Sequence, residues 1–161
     1  MTTFRWVTDP LPPDIIVRQV YAFCFDESGR VLLREDAGHY SLPGGKPERG
    51  EDTRTTLERE CQEESQITLG DHVYLGYQEV TDSGEQPYAQ LRFVARIAGF
   101  LPRNPDPDTG RTYGRLLTPI NKAPALLDWG IDGLVQAAST VPAAYALGVD
   151  PAATREDDWR N

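Results

Sequence analysis

The sequence predicts an α/β fold in a single domain that spans residues 1–161. Residues 73–78 and 91–97 alternate apolar and polar side chains with a period of two, which is the pattern of half-buried strands. Residues 52–65 and 127–138 have the charge pattern or the apolar spacing of helices. The mass of 18.0 kDa is ordinary for one domain, and no Pro-rich stretch is long enough to separate two. We therefore expect strands and two helices around one core.

The first half of the chain predicts a pair of strands and then a helix. Residues 15–25 are rich in β-branched and aromatic side chains, residues 26–29 have turn composition, and an apolar run resumes at residues 30–34. This order predicts a hairpin-like pair of strands. The helix expected at residues 52–65 is charged and free of Gly and Pro, and Glu51 and Asp52 lie at its positive end.

The second half predicts a further helix, a loop and a tail. A helix that covers the sheet is predicted by apolar residues at helical spacing, namely Leu127, Ile131, Leu134, Val135 and Ala138. Three prolines among Asn, Asp and Gly predict a surface loop at residues 102–114. Residues 155–161 are polar apart from Trp159, which predicts a flexible tail.

Composition excludes several classes of function. The chain has 16 Lys and Arg against 25 Asp and Glu, so its net charge of −9 repels nucleic acid polymers. No apolar run is long enough to cross a membrane, and residues 1–14 lack the apolar core of a signal peptide, so we expect a cytoplasmic protein. Two cysteines, Cys24 and Cys61, without a CxxC motif give no support to a disulfide framework or a structural zinc site.

The predicted helix at residues 52–65 carries a cluster of carboxylates. Glu60, Glu63 and Glu64 have i, i+3 and i+4 spacing, so they project from one face. Each like-charge pair costs roughly 0.2–0.5 kcal/mol, which makes a divalent cation such as magnesium a natural partner. The alternative is a solvated acidic face that needs no ligand. Gly44 and Gly45, in the preceding loop, allow the backbone to approach a metal or a phosphate, although a simple turn also explains them.

The segment from Gly45 to Ile67 resembles the Nudix box, the pattern GX5EX7REUXEEXGU in which U is a bulky apolar residue. Gly45, Glu51 and the run that starts at Arg59-Glu60 match it at the required spacing. Gln66 replaces the usual Gly, and we expect it to alter the exit of the helix without loss of chemistry. The resemblance implies a Nudix-type α/β/α sandwich with a mixed central sheet.

The resemblance also implies a chemistry and a set of roles. Nudix hydrolases cleave a pyrophosphate bond in a nucleoside diphosphate linked to another group, with Mg²⁺ or Mn²⁺ as cofactor. By position, the metal ligands are Glu60, Glu63, Glu64 and the carbonyl of Gly44. Glu60 is also the candidate general base, and Arg59 is expected to orient a carboxylate of the cluster. Glu51 is expected to support the loop or the outer metal shell.

The remaining site residues are less constrained by the sequence. Lys46, Arg49 and Arg92 are candidates to bind the substrate phosphates, with Arg96 as a further possibility, and each is equally well explained as a solvated charge. A supplementary acid is expected outside the box, but the sequence does not distinguish its candidates, which are Glu79, Asp82 and Glu85. Candidates to stack on a base are Tyr40, Tyr77 and Tyr88, whereas Trp6 and Trp129 are interpreted as packing residues.

The substrate and the partners stay open. A small nucleotide-type substrate is expected, and ADP-ribose, sugar nucleotides, dinucleoside polyphosphates and oxidised nucleoside triphosphates are all compatible with the box. The alternative function is a non-catalytic Nudix-fold module that binds or senses a nucleotide or metabolite. A homodimer is a further possibility, through the apolar start at Phe4 and Trp6.

Overall fold

In the computed structural model, the chain folds into a mixed β-sheet with helices on both faces. The structure describes residues 1–152 and 156–161. In these residues the strands are β1 (Thr3–Val7), β2 (Ile16–Phe25), β3 (Arg30–Asp36), β4 (His39–Ser41), β5 (Gly44–Gly45), β6 (Ile67–Thr81), β7 (Tyr88–Phe100), β8 (Gly114–Pro119) and β9 (Asp158–Trp159). The helices are α1 (Thr53–Ser65), α2 (Ala123–Leu127) and α3 (Gly130–Ala146).

The sheet has the order β1-β6-β7-β2-β3-β8-β9, with β4 beside β3 and β5 beside β2. The pair β2 and β7 is parallel, and the other pairs are antiparallel. This confirms the expected α/β fold with a mixed central sheet. The hairpin-like pair is also confirmed, since the carboxylate of Asp26 accepts the backbone N–H groups of Ser28 and Arg30 and closes the turn between β2 and β3.

Alternate residues of β2 serve two cores because successive side chains of a strand point to opposite faces. Val20, Ala22 and Cys24 pack in one core with Leu57 and Cys61 of α1. The residues between them belong to the second core, where Phe23 and Phe25 pack with Ala137 and Ala144 of α3. The two cores give the α/β/α layering.

The loop before α1 is attached to the middle of the sheet. Gly44 and Gly45 form the short strand β5, which pairs with Tyr21 and Val20 of β2. Gly44 has a φ of 144° and is buried against the backbone of β2, so only glycine fits there. α1 then starts at Thr53 with Asp52 as its N-cap, within one residue of the predicted start. The acidic helix is thereby held against the sheet beside the glycine loop.

The helix predicted near the C-terminus exists, but its orientation is the reverse of the expected one. Ile131, Leu134, Val135 and Ala138 of α3 are exposed, whereas the buried face carries small and polar residues such as Gln136. The physical reason is that Gln136 takes part in a buried polar network with β6 and β7, so this face packs on the sheet.

The segment predicted as a flexible tail contains the short strand β9. Asp158 and Trp159 pair with Leu117 and Leu116 of β8, because the open edge of that strand offers unpaired backbone groups. Arg155, the first residue of the predicted tail, lies outside the described residues. The loop predicted at residues 102–114 is confirmed up to β8, which starts at Gly114. In the part of the chain that is described, no helix is long and apolar enough to span a membrane.

Candidate active site

Arg59 organises the carboxylates on the exposed side of α1. Its Nε and Nη2 donate to the Glu51 carboxylate at 2.7 and 3.0 Å, and its Nη1 donates to Glu60 and Glu63 at 3.1 Å each. These hydrogen bonds lower the pKa of Glu51 to about 2 and raise the pKa of Arg59 above its usual range. Arg59 Nη2 also donates to the carbonyl of Lys46, so the same guanidinium ties the glycine loop to the helix.

Glu60 lies directly under the glycine loop. A Cβ added at Gly45 would lie 2.5 Å from the carboxyl carbon of Glu60, so a side chain at position 45 would displace this carboxylate. Burial raises the pKa of Glu60 above its usual range; Arg59 opposes the rise, and Glu63 and Asp106 add to it. Glu60 is therefore a partly desolvated carboxylate with incomplete compensation of its charge.

Glu64 is the most buried of the three glutamates. Its side chain accepts a hydrogen bond from the backbone N–H of Gly44 at 3.0 Å and forms an ion pair with Arg34 of β3 at 2.7 Å. Burial nevertheless raises its pKa to about 7, because Arg34 and the Gly44 N–H do not fully offset the loss of solvation. Glu60 and Asp106 contribute further repulsion.

A cleft of about 510 Å³, which we call the acidic cleft, opens above these carboxylates. Its lining includes Tyr21, Ser41, Leu42, Gly44, Gly45, Lys46, Glu60, Glu64 and Asp106. The structure thus brings together the glycine loop and two of the three predicted glutamate ligands. Glu63 does not line the cleft and is held beside Glu60 through Arg59.

Asp106 is a further acidic residue that lines the acidic cleft, together with Glu48 and Asp108, and the sequence did not single it out. It lies in the loop between β7 and β8, is buried, and its Oδ1 accepts the backbone N–H groups of Asp108 and Thr109 at 2.7 and 3.2 Å. Of the three expected candidates, Glu79 pairs with Arg5 at 3.1 Å and Asp82 accepts from Thr2. Neither these two nor Glu85 lines the cleft. The Asp-Pro-Asp-Thr-Gly segment signals a turn but not its reach toward α1.

The three predicted phosphate-binding cations lie in different places. Lys46 is exposed and lines the acidic cleft. Arg49 is exposed and lies outside the residues that line it, and Arg96 is likewise an exposed residue away from the cleft. Arg92 is buried and lines a second cavity that adjoins the acidic cleft.

This second cavity, which we call the arginine cavity, has a volume of about 470 Å³. It shares a wall with the acidic cleft, formed by Tyr21, Ser41 and Leu42. The guanidinium carbon of Arg92 lies 5.1 Å from the ring centroid of Tyr21 and 5.0 Å from that of Trp129, a cation–π arrangement. Trp129 is therefore a wall of the cavity rather than only a packing residue. None of the three tyrosines predicted to stack on a base lines it.

Arg92 is held by neutral groups. Its Nε donates to Gln136 at 3.2 Å, and Gln136 in turn donates to Gln78 at 2.7 Å. No ion pair of Arg92 with a carboxylate is found among residues 1–152 and 156–161. Burial lowers its pKa to about 10. The arginine cavity thus offers a desolvated hydrogen-bond donor between two aromatic rings.

The donors of the acidic cleft fit a magnesium ion. Within the described residues, no three acidic, His or Cys side chains form a ready-made ligand cage. Magnesium does not need one, because it keeps several waters and binds through one or two carboxylates together with substrate phosphates. Burial raises the pKa of Glu60 and Glu64, although Arg59 and Arg34 oppose the rise, and a hard cation with oxygen ligands would stabilise the charged form of both carboxylates.

Comparison with known proteins identifies the family. The NUDIX domain model matches residues 16–129, more than half of the chain. The chain belongs to the NUDIX family. This confirms the resemblance carried by residues 45–67. No curated protein matches the sequence.

Solved NUDIX structures share the fold. The Bacillus subtilis pyrophosphohydrolase BsRppH, solved as a point mutant, has 26% sequence identity and a TM-score of 0.55, over 62% of this chain and 63% of that chain. A NUDIX hydrolase from Nitrosomonas europaea has 20% identity and a TM-score of 0.58, over 83% and 91% of the two chains. The mutator MutT protein from Bacillus halodurans has 24% identity and a TM-score of 0.55, over 74% and 78%. The chain spans less than two thirds of the length of BsRppH.

At the end of α1, Gln66 occupies the position where the family pattern has Gly. Gln66 itself adopts the left-handed conformation, with φ 48° and ψ 48°, and its N–H caps the carbonyls of Cys61 and Gln62. The cap that glycine normally provides is therefore retained by a glutamine.

Proposed function

We propose that this protein is a divalent-metal-dependent pyrophosphohydrolase that cleaves a phosphoric anhydride in a nucleoside diphosphate linked to another group. The observation that carries the proposal is that the acidic cleft and the arginine cavity adjoin each other and fit the two different parts of one substrate. The acidic cleft takes a metal ion and the phosphates that come with it, and the arginine cavity takes a planar ring. The shared wall of Tyr21, Ser41 and Leu42 puts both within reach of one small substrate. The similarity to a pyrophosphohydrolase at 26% identity supports the same reaction class.

The residues of the acidic cleft divide the work. Glu60, Glu64 and the Gly44 carbonyl would hold the metal, and Asp106 would add a further carboxylate to the cleft. Glu63, which is expected from the family pattern to be a ligand, lies outside the cleft lining and pairs with Arg59, so it would act by holding Arg59 beside Glu60. Bound Mg²⁺ or Mn²⁺ offsets the phosphate charge and lowers the pKa of water at the site. Glu60 accepts the proton of the attacking water, because its pKa is already raised by burial and the proton has a short path to it. Arg59 keeps Glu60 and Glu63 in position through its hydrogen bonds.

The cations bind the rest of the substrate. Lys46, at the mouth of the acidic cleft, binds a phosphate oxygen. Arg92 donates to an acceptor atom on the ring that enters the arginine cavity, and Tyr21 and Trp129 contact its faces. Arg49 has no part in this arrangement, since it lies outside both spaces.

The test is turnover of a substrate panel with Mg²⁺ and with EDTA. The panel contains ADP-ribose, UDP-glucose, a dinucleoside tetraphosphate and nucleoside triphosphates, and products are identified by mass in ¹⁸O-water to locate the attacked phosphorus. We expect Mg²⁺-dependent cleavage of one class, with the label in a phosphate product. Binding of a panel member without any product would instead support the non-catalytic module.

Metal binding is tested separately by calorimetry with Mg²⁺ alone. The Glu64→Gln variant is expected to bind Mg²⁺ at least ten-fold more weakly than the wild type. The matched control is Glu58→Gln, because Glu58 is an exposed acid of the same helix that forms an ion pair with Arg54 and does not line the acidic cleft. Equal Mg²⁺ affinity in the two variants would contradict the assignment of the metal to the acidic cleft.

A further inference from the structure

The outward face of α3 is apolar along its whole length. Its exposed positions follow the spacing of one helical stripe and consist of Ile131, Leu134, Val135, Ala138, Pro142, Tyr145 and Ala146. Ile131 is 79% exposed, Leu134 59% and Tyr145 53%. The only charged residue of the helix sequence is Asp132, which lines the arginine cavity. An apolar stripe of this kind on the solvent side of a helix normally packs against a partner.

The area of this stripe is large enough to matter. Its side chains expose on the order of 500 Å² of apolar surface, which matches the largest patch of a typical monomer and often marks an interaction site. Covering the same stripe on two molecules removes on the order of 1,000 Å², the lower limit for a stable interface. The stripe alone therefore suffices for a modest self-association.

The absence of charge on the α3 stripe makes this face the one on which a second copy of the acidic chain can dock. The chain carries a net charge of −9, so two copies repel each other at most approaches. The α3 stripe itself has no charged side chain, so contact there adds less repulsion than contact elsewhere; the carboxylates beside it are Asp132 of α3 and Asp150, which accepts a hydrogen bond from Tyr145 at 2.9 Å. An isologous contact also needs one patch that complements itself, and a single helix stripe meets this condition.

The order of side chains favours an antiparallel pairing. Ala138 lies midway between Ile131 and Tyr145 along the stripe. A two-fold axis at Ala138 sets Ile131 of one copy against Tyr145 of the other, and the small side chain of Ala138 lies at the crossing point. A parallel pairing would instead stack Tyr145 on Tyr145 and leave Ile131 against itself.

We propose that this protein forms a homodimer through the outward face of α3, with two copies packed antiparallel about an axis near Ala138. The interface goes beyond the proposed function and does not depend on it. The opposite face of the same helix carries Gln136, which supports Arg92 from below. Dimerisation would thus hold α3, which forms one wall of the arginine cavity, by its outward face.

The first test is the mass of the full-length protein in solution by sedimentation equilibrium over a range of concentrations. The wild type is expected at the dimer mass, and Leu134→Glu/Val135→Glu is expected to weaken dimerisation at least ten-fold. The matched control is Ile16→Glu, at an apolar residue of β2 that is 60% exposed and distant from α3 in sequence and fold. Circular dichroism establishes that each variant is folded. A wild type that is monomeric throughout, or equal weakening by Ile16→Glu, would overturn the proposal.

The second test is disulfide cross-linking, which reports the axis directly. Ala138→Cys is expected to form a linked dimer under mild oxidation, since the two cysteines face each other across the axis. Ala146→Cys lies eight residues away, so its two copies are roughly 24 Å apart in an antiparallel pair and do not link. The native Cys24 and Cys61 are buried and do not interfere. Linking of Ala146→Cys as readily as Ala138→Cys would refute the antiparallel arrangement.

Discussion

The acidic cleft and the arginine cavity share the wall formed by Tyr21, Ser41 and Leu42, yet the Glu64 carboxylate is buried in the first and the Arg92 guanidinium in the second. In the acidic cleft, burial raises the pKa of Glu64 to about 7 even though Arg34 lies 2.7 Å away. In the arginine cavity, burial lowers the pKa of Arg92 to about 10. Both spaces therefore contain a charge that the surrounding protein leaves partly uncompensated.

The difference teaches what each space requires of a ligand. A carboxylate with a raised pKa is stabilised in its charged form by a cation, and an arginine with a lowered pKa is stabilised by an acceptor or an anion. A metal-bound diphosphate joined to an acceptor-bearing ring supplies both at once. The two regions are thus expected to control different kinetic constants, the acidic cleft the chemical step and the arginine cavity the binding of substrate.

The largest expected effect belongs to the acidic cleft. Glu60→Gln removes the proposed proton acceptor but preserves the shape of the side chain and its place under Gly45. We expect kcat to fall about 10³-fold, with KM changed far less, because a general base contributes 10² to 10⁴ in rate. Steady-state kinetics on the substrate found in the panel measure this, and Glu58→Gln is expected to behave as the wild type. A full-rate Glu60→Gln enzyme would remove Glu60 from the mechanism.

The arginine cavity is expected to show the opposite kinetic pattern. Arg92→Met keeps the length of the side chain but removes the donor, and one charge-assisted hydrogen bond of about 1.5–3 kcal/mol corresponds to a KM raised about ten- to a hundred-fold. The expected change in kcat is within a few-fold. Arg92→Lys keeps the charge without the planar donor fork and is expected to recover part of the affinity.

The split between KM and kcat sharpens the comparison. A merely structural role for Arg92 would lower the thermal stability of Arg92→Met and reduce kcat in proportion to the folded fraction. If Glu60→Gln and Arg92→Met change the same kinetic constant, the proposed division between the two spaces is wrong.

Asp106 tests whether the acidic cleft extends beyond α1. In Asp106→Asn the Oδ1 atom still accepts the N–H groups of Asp108 and Thr109, so the turn is retained while one negative charge is lost. We expect Mg²⁺ affinity measured by calorimetry to fall about ten-fold. Asp106→Ala breaks the turn as well and is expected to lose more. A loss in the Ala variant alone, with Asn equal to the wild type, would show that Asp106 acts only through the loop.

The sequence predicted the acidic cleft better than the arginine cavity for a physical reason. Glu60, Glu63 and Glu64 lie on one helix whose start and capping residue are local features, so their common face follows from the helical period. The position of Asp106 depends on how a Pro-rich loop returns to the sheet, which no local pattern encodes. The sequence identified Arg92 as a candidate substrate-binding residue, but it did not predict the cavity that Arg92 lines.

The orientation of α3 shows where a periodicity argument fails. The apolar stripe through Ile131 and Val135 predicts the buried face, whereas the structure buries Gln136 and Thr140 instead. Gln136 is satisfied by Arg92 and Gln78, two residues distant in sequence, and this network decides which side faces the sheet. An apolar stripe therefore marks a surface that needs a partner, without stating that the partner is the core.

The smallest expected effect concerns the end of α1, where Gln66 leads directly into β6. Gln66→Gly relieves the left-handed strain of about 1 kcal/mol that a non-glycine residue carries. It also loses the hydrogen bond from the Gln66 amide to the Glu63 carbonyl at 2.7 Å, and glycine gains freedom in the unfolded chain. These terms nearly cancel, so the free energy of unfolding is expected to change by less than about 1 kcal/mol.

Activity is expected to be unchanged in Gln66→Gly because the hydrogen bonds that hold residue 66 to Leu101 and Arg115 use its backbone carbonyl rather than its side chain. The carbonyl of residue 66 accepts the N–H of Leu101 at 2.8 Å and a hydrogen bond from Arg115 at 3.2 Å, and both persist without the side chain. Gln66→Ala is the matched variant, since it loses the same amide hydrogen bond but keeps the left-handed strain. Chemical denaturation should therefore rank Gly above Ala, and the reverse order would mean that the freedom of glycine in the unfolded chain outweighs the relief of left-handed strain.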